Sequence, residues 1–473
     1  MVSKAENLME WFYEAIKNAK LYDYGNYPIK GCGIWLPNGF FLRSKVMNIL
    51  REILNETGHK EVLLPLLITR EMLEKEAEHI AGFTGQVYWV TKGGDEKLEM
   101  ELALRPTSET AMTVVFKNFL LSYRDLPLKV YQIVSIFRYE TKTTHPMIRV
   151  REVNTFKEAF SFSATKEESI EIVREAYDAY SKFFNTLGIP FITVERPSWD
   201  RFPGAEISIA FDTVLPDGKS LQIGSIHYLG QNFSRAFDAK FMKKDGSYDY
   251  YHMNSYGISE RSIAALLIHF GDDLGAIIPP DLAPIQIVIV PIVYEENVEE
   301  IMNYSRKIYE IVSATGYRVV LDDRTDKTPG EKFYEWERAG VPLRIEIGPK
   351  ELKENKILFA ERTGKKKKVE FDNLFKQIKF SFAEIEIQLK DKARKEMFNR
   401  IIRASSTDEI ENVLKERKVA KFNICENEKC GQDLDKRLTG FSFLGYSYLE
   451  REKGKCVVCN SETERMGYMA KTY

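Results

Sequence analysis

The sequence predicts an α+β protein in three parts: an antiparallel sheet flanked by helices over residues 1–284, an α/β domain over 285–379, and a small α/β C-terminal domain over 380–473. Three observations carry this. Up to about Pro284, strand-like stretches often follow one another directly, which favours antiparallel pairing. From Ile285 strands alternate with helices, the rhythm of βαβ units in a mostly parallel sheet. Four of the five cysteines then crowd together near the C-terminus.

Taken in order, residues 40–56 have helical periodicity and stop before Gly58. A short apolar strand over 61–68 follows and contains Pro65. VYQIVSIFRYE and IRVREVNTFKEAF read as two strands of a hairpin, separated by the polar loop TKTTHP. IQIVIVPIV (285–293) is a buried strand, 295–315 an acidic helix, RVVLDD a second strand, YEWERAG a helix end and VPLRIEIG a third strand. From about Phe380 the chain is charged and helical to Arg417, where the cysteine region begins.

Bulk properties narrow the class. The chain has 473 residues, enough for about three domains. Its 68 Lys and Arg nearly balance 70 Asp and Glu, so any nucleic-acid surface has to be a local patch. The N-terminal stretch is amphipathic but carries acidic residues and lacks the continuous apolar core of a secretory signal. The longest apolar runs are strand length and far short of a membrane span. Few cysteines, clustered rather than dispersed, suit a reducing cytoplasm. The expectation is a cytoplasmic protein with no membrane partner.

Cys425, Cys430, Cys456 and Cys459 form a C-x4-C … C-x2-C pattern. Two short-spaced pairs on a hairpin supply the four thiolates of a tetrahedral zinc site, structural because no position is left open. Gly431 and Gly454 flank the pairs, as tight knuckle turns would require. Two disulfides or four unrelated thiols are the alternatives.

The arginines point to chemistry. FRYE carries Arg138 and Glu140, the predicted return strand carries Arg149 and Arg151, and Arg261 stands where YGISER meets an apolar helix. Singly, each suits a surface ion pair. Together they fit a reaction that brings a carboxylate against a phosphate, where planar, permanently charged guanidinium groups clamp the gathering oxygens. No general base is needed, because the carboxylate is already ionised.

These segments resemble the motifs of class II aminoacyl-tRNA synthetases. Phe-Arg-x-Glu on a hairpin with a following arginine is similar to motif 2, YGISER to motif 3, and the helix–strand unit ending in Pro65 to motif 1. LRPTSET (104–110), LQIGSIHYLGQNF (221–233), DRFPGAE and the final KTY resemble the prolyl-tRNA synthetase family, and the cysteine region its archaeal and eukaryotic branch. The resemblance implies a ligase that activates L-proline with ATP and Mg2+ and esterifies it to tRNA(Pro), built as a homodimer. It implies that Arg138 bridges the proline carboxylate and the α-phosphate and that Glu140 accepts from adenine. Arg149 and Arg261 hold the outer phosphates, and Gln222 and Ser225 contact the ribose and a phosphate-bound magnesium. Thr107 and Glu109 receive the secondary amine, between walls formed by Phe156 and His227. Thr-Ser-Glu before AMTVVF also suits an ordinary helix N-cap, and both roles are compatible. His227 equally suits a buried, hydrogen-bonded structural role.

By the same resemblance the α/β domain binds the anticodon, with Glu337 and Lys350 at positions that recognise its two guanines. A carboxylate can accept from guanine N1 and N2 and a lysine can donate to O6 or N7; a solvent-facing ion pair is the plainer reading. The lysine run 365–368 suits a solvated hairpin tip. Where the family usually shows a histidine segment after FKEA, this chain reads Phe160-Ser161-Phe162-Ser163, which makes the pocket edge more apolar. No room is left between Phe160 and Gln222 for a large editing insertion, so misactivated alanine or cysteine is expected to go uncorrected.

Overall fold

The computed structural model describes residues 2–75, 85–294 and 296–473. They fall into two compact units. One comprises Pro28–Gly33, Asn48–Ala265 and Met397–Tyr473; the other comprises Met1–Tyr27, Ile34–Met47 and Leu266–Glu396. Among the described residues, no helix is long and apolar enough to cross a membrane.

Among the described residues, the first unit is organised by an eleven-stranded sheet. Its middle runs through Ile192–Glu195, Ile207–Val214, Lys219–Gly230, His252–Ser259, Glu152–Ser163 and Leu128–Phe137, each antiparallel to the next. Helix Lys166–Leu187 covers one face. Thr165 caps its start by accepting from the Glu168 amide, and Gly188 ends it in the left-handed region at φ 75°. Its buried stripe, from Ile172 through Tyr180 to Phe184, recurs every three or four residues, and Tyr180 and Phe184 pack against Phe211 of the sheet. The opposite face is left to the site described below.

Two predicted strands are shorter than the sequence suggests. Residues 61–68 yield only Lys60–Glu61 and Leu67–Thr69. Pro65 has no N–H for a ladder, and the neighbouring Leu64 amide donates to the Gln132 side chain instead. The return strand of the hairpin begins at Glu152, so Arg149 and Arg151 stand in the preceding loop.

The last segments extend this same sheet. Ser442–Lys455 pairs with Ile192–Glu195 through Tyr446↔Glu195 and Ser447↔Val194, and Glu462–Thr472 runs parallel to Lys219–Gly230 at Lys471↔Lys219.

The second unit contains a five-stranded sheet in the order Val319–Leu321, Ile287–Pro291, Leu343–Ile347, Lys356–Glu361, Lys366–Glu370. The first three strands are parallel, and the last two form an antiparallel hairpin. It is therefore a mixed sheet, parallel where helices cross over and antiparallel where a short turn suffices. The acidic helix runs Val298–Ser313; Glu295, its expected start, lies outside the described residues. Helix Pro329–Arg338 opens with a capping box between Thr328 and Glu331. The lysine run lies at the start of the last strand. Each lysine meets a carboxylate: Lys365 Glu384, Lys366 Glu346, Lys367 Glu361 and Glu384, and Lys368 Glu354.

Candidate active site

On the open face of the large sheet, one cavity of about 270 Å³ is lined by Thr107, Glu109, Arg138, Glu140, Arg149, Phe156, Gln222, Ser225, His227 and Arg261. These residues are scattered over 155 positions of sequence, and strand register gathers them. Ser225 and His227 lie on one face of their strand, opposite Gly257 and Ser255 of the next. Phe156, Glu158 and Phe160 share a face of theirs by the same alternation. Gln222 has the wrong parity for that face. A bulge corrects it: pairing jumps from Phe211↔Gly224 to Asp212↔Gln222, which skips Ile223.

One end of the cavity is carboxylic. Glu109 begins helix Glu109–Phe116 and accepts a hydrogen bond from Thr107 Oγ1. Ser108 occupies the N-cap position without capping. Its hydroxyl donates to Glu158 Oε2 at 2.6 Å, and the Gln132 amide donates to that oxygen at 3.1 Å. The Thr-Ser-Glu segment is thus both a helix start and part of the cavity. Burial raises the Glu109 pKa, and burial together with the Glu109 charge pushes Glu158 up to about 7.

The other end is cationic. The Arg138 Nε donates to the Pro106 carbonyl at 3.1 Å, and the Arg261 Nε to the Ile148 carbonyl at 2.7 Å. Arg149 meets Glu140 only at 3.5 Å. Burial, then the positive charges of Arg138 and Arg149, lower the Arg261 pKa to about 10, against the pull of Glu140 and Asp212. Three guanidinium groups close enough to repel one another form a ready anion site.

His227 is held at both ring nitrogens, by Ser208 Oγ at 2.9 Å and Ser225 Oγ at 3.0 Å, and stacks on Phe202 at 4.6 Å. Burial, then Arg196, lowers its pKa to about 3, so the ring is a neutral wall. Phe156 is packed so tightly on Gly257 that a Cβ there would lie 3.0 Å from the ring. Phe160 is buried with Phe162 and Met253 in an apolar cluster. Sequence reasoning missed Glu158, Ser208 and Arg196, all of which line the cavity. Alternation from Phe156 could have found Glu158; nothing local marks Arg196.

The cysteines converge. Cys425 follows strand Val419–Asn423, Cys430 lies in helix Glu428–Arg437, and Cys456 and Cys459 fill the turn between the last two strands. All four Sγ atoms lie within 4.8 Å of one another, with Cys425 3.5 Å from Cys430 and 3.6 Å from Cys459. Zinc–sulfur bonds of about 2.3 Å give a tetrahedron with edges of about 3.8 Å, so four thiolates fit such an ion. The flanking glycines do not serve knuckle turns. Gly431 is helical, and a Cβ there would lie 2.8 Å from Trp199; one on Gly454 would lie 2.2 Å from Asn423 Oδ1. Close packing, not backbone handedness, requires glycine at both.

In the second unit, Glu337 lines a cavity of about 420 Å³ with Arg344, Arg362 and Lys366. Its carboxylate accepts from Arg344 at 2.8 Å, so the plain ion pair exists. Lys350 is exposed at the start of helix Pro349–Glu354 and is not among that cavity's lining residues.

Comparison with known proteins agrees along the whole length. The model for the tRNA synthetase class II core domain (G, H, P, S and T) matches residues 88–270, that for the anticodon binding domain 286–380, and that for the prolyl-tRNA synthetase C-terminal region 407–473. The chain is 48% identical over 476 residues to the Proline--tRNA ligase of Sulfurisphaera tokodaii, covering 99% of this chain and 98% of that one. It is 45% identical to the corresponding protein of Ignicoccus hospitalis, with full coverage of both at 100%. Among solved structures, Giardia lamblia prolyl-tRNA synthetase in complex with prolyl-adenylate superposes with a TM-score of 0.94 at 33% identity, over 100% of this chain and 99% of that one. With a class II core, an anticodon-binding domain and near-half identity across its full length, the chain belongs to the prolyl-tRNA synthetase family.

Proposed function

We propose that this chain is a proline–tRNA ligase whose two half-reactions both use the cavity shared by Arg138, Arg149 and Arg261. The proline carboxylate attacks the α-phosphate of ATP; the new O–P bond gives prolyl-adenylate as pyrophosphate leaves. A ribose hydroxyl at the 3′ end of tRNA(Pro) then attacks the adenylate carbonyl, and AMP departs. Arg138 lies between the carboxyl end and the cationic end, where it can hold both the proline carboxylate and the α-phosphate. Arg149 and Arg261 take the outer phosphates, Glu140 the adenine amino group, and Gln222 and Ser225 the ribose side. Bound Mg2+ neutralises phosphate charge when ATP enters. Glu109 and Thr107 accept the secondary ammonium, and Phe156 and the neutral His227 wall the ring. The observation that carries this reading is the single cavity with buried carboxyl groups at one end and mutually repelling guanidinium groups at the other.

Around that core, residues 1–284 form the adenylation domain, 285–379 the anticodon-binding domain and 380–473 a zinc-binding domain. Glu337 and Lys350 read the anticodon guanines. A homodimer is supported by Leu63, Leu66 and Leu67, apolar and exposed in the motif 1 segment, with Leu63 80% accessible. A cytoplasmic location suits five free cysteines. Residues 164–218 hold one long helix, one 3-10 turn and two strands of the large sheet, which supports the absence of an editing insertion. A pocket can exploit a missing methylene by only about 1–3 kcal/mol, so alanine or cysteine is misactivated and released as an error.

Proline-dependent exchange of pyrophosphate into ATP tests the reading. Exchange with proline is expected; exchange with another amino acid alone, or with none, refutes it. Cys430→Ser is expected to lose bound zinc by metal analysis and to melt several degrees lower, because the metal's binding energy is folding energy. Full zinc content in that variant would remove the cysteine assignment.

A further inference from the structure

Arg196 belongs to no motif, yet its guanidinium meets four partners at the edge of the site. It follows strand Ile192–Glu195 and is only 9% exposed. One guanidinium nitrogen donates to the Leu444 carbonyl at 2.7 Å. The other donates to Asp212 Oδ1 at 2.8 Å and to Gln222 Oε1 at 3.0 Å, while Nε stands 3.8 Å from Asp200. Leu444 is itself fixed by the C-terminal region. The amide of its neighbour Phe443 donates to Asp435 at 2.6 Å, and Asp435 also accepts from Trp199 Nε1 at 3.1 Å. Asp435 lies on helix Glu428–Arg437, which carries Cys430 and packs Gly431 against Trp199 and Phe443.

A glutamine amide has one acceptor and two N–H donors. The Arg196 guanidinium, which has no acceptor of its own, takes one lone pair of Oε1 and fixes which end of the amide is the NH2, so Gln222 presents N–H donors to the cavity. A nucleotide meets that group with an acceptor oxygen. A permanently charged, planar donor fixes the amide plane better than a flexible ammonium would.

We propose that Arg196 is a positioning residue of the nucleotide site: it turns Gln222 into an oriented donor and is itself aimed by the Leu444 carbonyl, which makes the C-terminal domain part of the ATP-binding machinery. This rests on Gln222 being a nucleotide contact, so the experiment separates the two ideas. ATP–pyrophosphate exchange is measured for Gln222→Ala, Arg196→Lys and Arg196→Met. KM for ATP is expected to rise about tenfold in Gln222→Ala and in Arg196→Met, the loss of about one charge-assisted hydrogen bond, with KM for proline within about twofold. Arg196→Lys restores part of the loss. The methionine variant strands the Asp212 carboxylate, so Arg196→Met/Asp212→Leu, which removes both charges, is run beside it and thermal melts identify folded protein. An unchanged KM for ATP in Gln222→Ala refutes the nucleotide role of Gln222. A raised value there, with an unchanged value in the folded Arg196 variants or an equal rise for proline, overturns the positioning role alone.

Discussion

Arg196 aside, which pairs with Asp212 at 2.8 Å, the two cavities hold their arginines differently. In the cavity on the large sheet, Arg261 and the Arg138 Nε hydrogen-bond to neutral backbone carbonyls, and Arg149 meets its carboxylate only at 3.5 Å. In the cavity around Glu337, Arg344 bonds Glu337 and Glu346 at 2.8 Å each, and Arg362 meets Asp272 through two bonds of 2.6 Å. A guanidinium anchored on a carbonyl, as that of Arg261 is, keeps more of its charge for a ligand. One already in an ion pair must exchange partners, so it can discriminate between ligands without attracting anions strongly. The first arrangement suits phosphates whose charge grows during reaction; the second suits reading a neutral base edge.

The sharpest way to break this contrast is Arg138→Ala. Removing one oriented cation from where transition-state charge develops is expected to cost about 10²–10³-fold or more in pyrophosphate exchange. Binding of tRNA, measured by filter retention, should stay within about twofold. Comparable exchange in variant and wild type would mean the cavity is not the reaction site.

Glu337→Ala probes the other side. It leaves Arg344 its bond to Glu346, so the fold is expected to hold. Exchange should be unaffected, while charging of tRNA(Pro) falls roughly tenfold, the worth of one base-edge contact. Equal charging would show that the paired cavity reads nothing. A charging defect shared with exchange would erase the contrast altogether.

What could be seen in advance follows the range of the physics involved. The arginines of FRYE and YGISER were legible as a candidate cluster because guanidinium groups suit phosphate oxygens whatever surrounds them, and the structure gathers them in one cavity. The alternation of Phe156, Glu158 and Phe160 was available from strand parity alone. Gln222 lies on the correct face only through a bulge at Ile223, a backbone irregularity with no residue signature. Arg196 was illegible for a stronger reason: its partner Leu444 is 248 positions away, and no local pattern encodes that contact. The same holds for the C-terminal strands, which complete the large sheet through pairing of Tyr446 with Glu195. Gly431 and Gly454 suggested turns because glycine marks both turns and close approaches, and sequence does not distinguish them.

The smallest expected effect sharpens the carboxyl end. Glu158 lies close enough to Glu109 for their charges to interact, with Ser108 and Gln132 bonded to it and Arg105 and Arg138 as the nearby cations. Its pKa is pushed up to about 7, so below that pH the empty pocket keeps a proton that the ammonium of proline must displace. The sign is therefore fixed. KM for proline falls as pH rises toward about 7 and levels off above it, with a slope of at most about tenfold per pH unit on the acid side. Over pH 6 to 8 the amine of proline stays charged, so the change belongs to the protein. Glu158→Gln keeps a polar partner for Ser108 but carries no titrating proton, and it should flatten the profile. A flat profile in the wild type, or an unchanged slope in the variant, would mean that the two carboxyl groups do not share the burden of the amine, and that Glu109 meets it alone.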